Sequence, residues 1–344
     1  MKGFGSDNHA GVHPQLLNSI NLANKDHAPS YGTDPESELA IAEFKKHFGS
    51  DTEVYFVFNG TAANVLALRF LMKRHESALC SRLSHLNMDE CGAPEFFAGK
   101  LTTLPETNGR LKLEDLTTAL IRQGDQHYSQ PRVVSLTQPT ELGTCYSLEE
   151  IKAITDWAHQ KGLYVHMDGA RLSNAIAHLN CTFKQMTTDL GIDVVSFGGT
   201  KNGLLFGEAI LVLNKELNQK HKNELKFIRK QSAQLPSKTR FIACQFKTYF
   251  QQDLYASIAN HSLLMAERLY QGLKTISQIR ITQPRQSNAV FAIIPQEWLK
   301  TLRGQFFFYV WDEKTFECRL MTSWDTQIEE INAFMKLARE LSKN

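Results

Sequence analysis

The sequence predicts an α/β fold, with a mostly parallel sheet in a large N-terminal domain and a smaller α+β domain at the C-terminus. Three observations carry this prediction. Short apolar runs recur through the first two thirds of the chain, each followed by a turn and then a helical pattern. That rhythm changes after about Phe241. The 344 residues also suffice for two domains at roughly 150 residues each. The division is drawn as 1–245 and 246–344.

The elements follow in order. Val54–Phe58 (VYFVF) predicts a strand, Asn59-Gly60-Thr61 its turn, and Ala62–Arg74 a helix with apolar residues on more than one side. Arg132–Gln138 (RVVSLTQ) reads as a buried strand. Ser147-Leu148-Glu149-Glu150 fits a capping box that opens a helix to about Lys161, with Gly162 as its C-terminal stop. Leu163–Asp168 and Asp193–Gly198 are two further strands. Strands joined by helices imply parallel crossovers. A long helical stretch then runs to about Leu273, followed by strands in NAVFAII, QFFFYVW and ECRLMTSW and an amphipathic helix from Asp325 to Lys343. No internal repeat or low-complexity linker separates the two parts, so an extensive interface between them is expected.

Composition excludes several classes. Lys and Arg total 38 against 36 Asp and Glu, a net charge of +2, without the basic excess of a general nucleic-acid binder. Apolar residues at 42% and charged residues at 22% are those of a folded globular chain, so disorder is excluded. Cys80, Cys91, Cys145, Cys181, Cys244 and Cys318 are scattered, with no metal-ligand spacing, and read as free thiols in a reducing cytoplasm. The N-terminus is polar and Gly-rich, unlike a secretory signal, and no apolar run is long enough for a membrane helix.

The chemistry gathers at strand ends, where open α/β sheets bind ligands. Gly60 and Thr61 stand where a strand turns into a helix, a place for a phosphate, although GxxxxGK[ST] is absent. Asp168 ends an apolar strand in His166-Met167-Asp168-Gly169-Ala170-Arg171; taken alone it also reads as a helix N-cap. Lys201 follows the next strand in Ser196-Phe197-Gly198-Gly199-Thr200-Lys201-Asn202-Gly203; taken alone it also reads as a solvated lysine. An aspartate at one strand end and a lysine at the next are what pyridoxal phosphate chemistry requires. The lysine forms a Schiff base, and the aspartate keeps the pyridine nitrogen protonated.

With these motifs in place, the chain resembles the low-specificity L-threonine aldolases, fold-type I pyridoxal phosphate enzymes of the β-eliminating lyase superfamily. The likeness covers nearly the whole length. It runs through Gly5-Ser6-Asp7-Asn8, Tyr31-Gly32-Thr33-Asp34, Asn59-Gly60-Thr61-Ala62-Ala63-Asn64, Asp168-Gly169-Ala170-Arg171 and the Lys201 motif, and ends at Arg319. The resemblance implies a fold-type I transferase-like fold, in which the N-terminal segment joins the substrate site. Lys201 is then the Schiff-base lysine, Asp168 the pyridinium partner, and Gly60 and Thr61 the phosphate holders. Lys238 reaches a phosphate, in the same or a neighbouring subunit, or is a solvated helix lysine. Ser6, Arg171 and Arg319 match the substrate-carboxylate site, where a planar guanidinium fits a carboxylate bidentately. Tyr31 joins the substrate-binding set. His85 matches the histidine stacked on the cofactor ring, and His127 a second histidine near the substrate hydroxyl. Asp89 and Glu90 read either as a solvated loop pair or as a further acid, with no role assigned.

The reaction implied is retro-aldol cleavage of L-threonine or L-allo-threonine to glycine and an aldehyde. His85, His127 or a held water is the base. Asn202-Gly203-Leu204-Leu205-Phe206-Gly207-Glu208-Ala209 and Gln138-Pro139-Thr140-Glu141-Leu142-Gly143-Thr144 look like one bacterial branch and leave the threo or allo preference open. β-Elimination, racemisation or transamination on the same scaffold, or a non-catalytic member of the fold, are the alternatives. The resemblance further implies a homotetramer of tight dimers with sites at subunit interfaces, in the cytoplasm, acting on a small amino acid with no nucleic-acid or membrane partner.

Overall fold

The computed structural model describes residues 3–221 and 224–343. Among them, seven strands form the first sheet: β1 (Glu53–Val57), β2 (Glu76–Ser81), β3 (Lys100–Leu104), β4 (Gln130–Thr137), β5 (Tyr164–Gly169), β6 (Val194–Gly198) and β7 (Glu208–Val212). Their order is β1-β7-β6-β5-β4-β2-β3. Every pair from β6 to β3 is parallel, and β7 alone runs against its neighbours. The mostly parallel α/β architecture expected from the strand–helix rhythm is present.

The sheet is buried on both faces, which is why its strands read as continuous apolar runs. Side chains alternate between two cores with period two. Val195, Phe197, Ala209 and Leu211 enter one core, and Val194, Ile210 and Val212 the other. The first is covered by helices Pro35–Phe48, Leu148–Gln160 and Arg240–Phe250, the second by Gly60–Leu71. The capping box is formed: Glu150 N–H donates to Ser147 Oγ at 3.1 Å, and Ser147 N–H to Glu150 Oε2 at 2.7 Å.

A second, antiparallel sheet of order β10-β11-β9-β8 comprises β8 (Arg280–Ile281), β9 (Ala289–Ile293), β10 (Tyr309–Asp312) and β11 (Glu317–Met321). It packs on helices Leu254–Lys274 and Ile328–Leu341 around its own core. The helical stretch expected as one piece to Leu273 is two helices, Arg240–Phe250 and Leu254–Lys274. They break at Gln251–Asp253, where Asp253 takes a left-handed φ of 52° that a regular helix does not allow. The N-terminus lies on this second sheet. Phe4 N–H donates to Phe307 C=O at 2.7 Å, Met321 N–H donates to Phe4 C=O at 2.8 Å, and the Phe4 ring enters the second core. That anchoring brings Ser6 and Asp7 between the two sheets.

Phe44 sits within the aromatic cluster of the first core, fully buried, with the rings of Phe250, Phe246 and Phe197 centred 4.7, 5.2 and 5.5 Å away. Phe44→Ala is expected to destabilise the protein by about 3–5 kcal/mol, the cost of lost transfer energy plus a cavity. Urea unfolding measures it, and a loss below about 1 kcal/mol would show that the cluster closes over the gap.

Candidate active site

The site begins with a register. Asp168 on β5 lies opposite Ser196 on β6, so the carboxyl ends of both strands finish side by side. Beyond β6 the chain turns through the short helix Thr200–Asn202, which carries Lys201. The two strand ends meet so closely that a Cβ at Gly198 would stand 2.1 Å from the Ala170 carbonyl oxygen, so only glycine fits. Asn202 Nδ2 ties them by donating to both the Ala170 and the Gly198 carbonyls at 3.1 Å. Lys201, Asp168, Gly60, Asn64 and His85 consequently line one pocket. A roomier cleft, lined by Arg132, His159 and Asp193, lies at the amino ends of β5 and β6, away from these groups.

Asp168 is buried and held from two sides. Oδ1 accepts from Ala170 N–H at 3.0 Å and Oδ2 from Asn64 Nδ2 at 2.9 Å. Beneath it, His166 is clamped between the hydroxyls of Ser135 and Ser196, each 2.9 Å from a ring nitrogen. Burial pushes that imidazole down to about 4, so it is neutral and brings no competing charge to Asp168.

Lys201 has no carboxylate within ion-pair distance among the described residues. Burial lowers its pKa, and the Arg171 cation adds to the effect, while Asp7 and Asp168 oppose it. A lysine whose charged form is disfavoured is the nucleophile a carbonyl compound needs. Glu208 on β7 lines the same pocket and accepts from Gly199 N–H at 2.5 Å.

The helix Gly60–Leu71 points its start into the pocket. Asn59 caps it by accepting from Ala62 N–H at 2.9 Å, and Ala63 N–H bonds the Asn59 carbonyl. The N–H groups of Gly60 and Thr61 are left unpartnered, and a Cβ on Gly60 would meet nothing within 4 Å. Two free donors at a helix N-terminus with open space before them suit a phosphate. Together with an unpaired lysine and a fixed aspartate, this donor set fits pyridoxal phosphate.

Of the other expected residues, Arg171 is at the site but directs two nitrogens to Asp7: Nε to Oδ2 at 2.6 Å and Nη2 to Oδ1 at 2.9 Å. Burial alone would raise the Asp7 carboxyl, but the Arg171 guanidinium outweighs it and holds the pKa low. Ser6 accepts from Asn8 N–H at 3.2 Å beside this pair. Arg319 on β11 has no carboxylate partner among the described residues; its guanidinium lies over the Trp311 ring at 4.9 Å and its Nε is buried and unbonded. Burial, reinforced by the Arg171 cation, pushes its pKa down to about 10. Tyr31 and Lys238 are exposed and close together on the surface, Tyr31 N–H donating to Ser237 C=O at 3.0 Å.

His127 is not brought to this cluster. It sits exposed in the loop before β4, whereas the register of β4 and β5 sets Thr137, at the other end of β4, beside Asp168. The strand's length alone separates them by roughly 23 Å. What reaches His85 from the β4 side is Glu141, whose Oε1 accepts from His85 N–H at 2.6 Å and from the Thr137 hydroxyl at 3.1 Å. Glu90, read either as one of a solvated loop pair or as a further acid, is buried and bonds His85 Nδ1 at 2.9 Å. Glu141 was missed in the sequence, and its signal was an acidic residue beside Leu142 and Gly143 just past a strand end.

Residues 3–296 match the model of the beta-eliminating lyase family. The chain is 38% identical over 343 residues to the low specificity L-threonine aldolase of Pseudomonas aeruginosa, covering 98% of this chain and 96% of that one. It is 39% identical over 326 residues to the low specificity L-threonine aldolase of a Pseudomonas species, covering 94% and 93%. Among solved structures it superposes on Leishmania major threonine aldolase with a TM-score of 0.94 at 29% identity, covering 99% and 100%.

Burial raises two carboxyls at this site, Glu141 and Glu208, to about 7. Between the ordinary carboxyl value and about 7 the folded chain binds more protons than the unfolded one at these positions. Their contribution to stability is therefore lost as pH rises through that window. Glu208→Gln has no such proton to lose. Relative to wild type it is expected to gain stability between pH 5 and pH 7.5, read as urea midpoints of the cofactor-free protein. A pH-independent difference would mean that Glu208 is ionised throughout.

Proposed function

The chain belongs to the beta-eliminating lyase family, and from that membership we propose that it is a lyase cleaving L-threonine and L-allo-threonine, and related β-hydroxy-α-amino acids, to glycine and an aldehyde with pyridoxal phosphate. The observation that carries the reading is the single pocket that holds an unpaired, desolvated Lys201 beside Asp168, with His85 on its wall.

Gly60 and Thr61 would hold the phosphate, Asp168 the pyridine nitrogen, and Lys201 the cofactor carbon. Bound there, the protonated ring takes up the electron pair released when the substrate's Cα–Cβ bond breaks. The protein supplies the rest. Arg319 binds the substrate carboxylate, its guanidinium having no carboxylate partner among the described residues, while Arg171, committed to Asp7, orients that end together with Ser6. His85 accepts the β-hydroxyl proton at its outward ring nitrogen as that oxygen becomes the aldehyde carbonyl. A proton then returns to Cα and completes glycine.

The same proposal includes a homotetramer in the cytoplasm. Tyr31, Phe58, Leu205 and Phe206 are exposed apolar groups, several of them in the segments next to Gly60 and Lys201, which supports a partner subunit there. Lys238 and Tyr31 then face the neighbouring subunit's site. All six cysteines are free, which supports a reducing compartment. The division into 1–245 and 246–344 belongs to the proposal as well. Two separate sheets support a two-part division, but the drawn boundary falls inside the helix Arg240–Phe250, whose Phe246 and Phe250 pack in the first core together with Leu254 and Ile258, while Phe4 packs in the second.

The test is aldehyde release, followed through a coupled reductase, from L-threonine, L-allo-threonine and their D-forms. Release from the L-forms alone is expected, and Lys201→Ala should lose both visible cofactor absorbance and nearly all turnover. Absorbance without aldehyde from any substrate would mean another reaction on the same scaffold, to be sought as ketoacid, ammonia or racemised amino acid. Arg319→Met is expected to raise KM for L-threonine by about 10–100-fold, the worth of one charged hydrogen-bonding contact. An unchanged KM would remove Arg319 from the carboxylate site.

A further inference from the structure

We propose that Glu90 and Asn64 are positioning residues that fix His85 with its proton on Nδ1 and couple its charge to that of Asp168. The proposal rests on the cleavage reading above and deepens it, by explaining why His85 offers a basic nitrogen to the substrate.

The geometry is a continuous hydrogen-bonded chain. His85 Nδ1 lies 2.9 Å from Glu90 Oε1. The same oxygen accepts from Asn64 Nδ2 at 2.8 Å, and that amide nitrogen also donates to Asp168 Oδ2 at 2.9 Å. The order is imidazole, carboxylate, amide, carboxylate. A carboxylate only accepts hydrogen bonds, so the proton between His85 and Glu90 sits on Nδ1. Nε2 is left with a lone pair on the half-open side of the ring. The backbone holds the other end, because His85 N–H donates to Glu141 Oε1. The ring itself is held by its Nδ1 bond to Glu90.

Glu90 has no evident structural reward. It is buried, and its Oε2 has no partner. A buried carboxylate with an unsatisfied oxygen is costly, and no Lys or Arg pairs with it among the described residues. Asn64 is equally sequestered, its Oδ1 also unbonded. Such a pair is expected where charge must be managed rather than where a fold must be held.

The groups facing His85 are Glu90, Asp168, Glu141 and Lys201. Glu90 through its hydrogen bond is the largest influence and raises the imidazole pKa; burial and Lys201 oppose it, and Asp168 assists. Without Glu90, Asp168 would be the carboxylate left to answer both a protonated His85 and a protonated pyridine. With it, each cation has its own carboxylate, and the Asn64 amide keeps the two anions apart while bonding both.

The experiment follows the full-length protein, selectively labelled at histidine, by nitrogen-resolved NMR, both cofactor-free and loaded. His85 is assigned by its loss in His85→Asn. In cofactor-free wild type the Nδ1–H form is expected, titrating above an ordinary histidine. In Glu90→Gln the titration should fall by about one unit, the scale of one opposite charge at close range. In the loaded enzyme the acid limb of kcat/KM should move down by the same amount, with a far smaller change in KM. A purely structural Glu90 would change amounts of folded protein but not this limb. A wild-type His85 carrying its proton on Nε2 overturns the proposal even if Glu90→Gln does not fold, and so does an unshifted titration in a folded Glu90→Gln. Because the tautomer is read without cofactor or substrate, it stands apart from the reaction class: aldehyde release with the wrong tautomer sinks only this inference, and the right tautomer without aldehyde sinks only the cleavage reading.

Discussion

Asp168 and Ser196 face each other across the parallel ladder of β5 and β6, and the chemistry of the protein hangs on that register. Parallel neighbours end on the same edge of a sheet, so an acid closing one strand and a lysine just past the next are delivered to one place. Gly198 lets the two ends close to a distance no side chain would permit, and Asn202 bonds both carbonyls to keep them there. A shift of one residue would turn Asp168 to the opposite face of the sheet and away from Lys201. Val165 and Met167 of β5, buried in the first core with Val195 and Phe197 of β6, make that shift prohibitive.

Around this pair the site manages charge in layers. His166 is kept neutral beneath Asp168 by burial between two hydroxyls. Arg171 and Asp7 cancel one another at the junction with the second sheet, whereas the Arg319 guanidinium has no acidic partner among the described residues. Lys201 is stripped of solvent beside Arg171, which favours the reactive neutral amine. Each carboxylate of the site has a designated donor, and the donors are amides, backbone N–H groups or an imidazole more often than cations. That choice leaves the carboxylates able to meet positive charge arriving with the cofactor and substrate.

The second sheet is part of the site as well as a cap on the fold. It receives the N-terminal segment through Phe4, and thereby sets Ser6 and Asp7 against Arg171, 164 residues further along the chain. Arg319 enters from β11 of the same sheet. The walls of the site are thus assembled from the chain's beginning and end, while Lys201 and Asp168 come from the middle.

The division between sequence and tertiary structure follows the range of the forces involved. Strand runs, helix caps such as Ser147–Glu150, and the Gly-Thr turn at Gly60 were legible because local periodicity and local hydrogen bonds decide them. Asp168 and Lys201 were legible because consecutive parallel strands fix where their ends meet. The sequence could not tell that Glu90 turns inward to His85, that Asp7 occupies two of the nitrogens of Arg171, or that Glu141 rather than His127 stands beside His85. Those outcomes depend on which end of a strand a loop lies at and on contacts between distant segments. Only closure of the chain around its two cores brings such segments together.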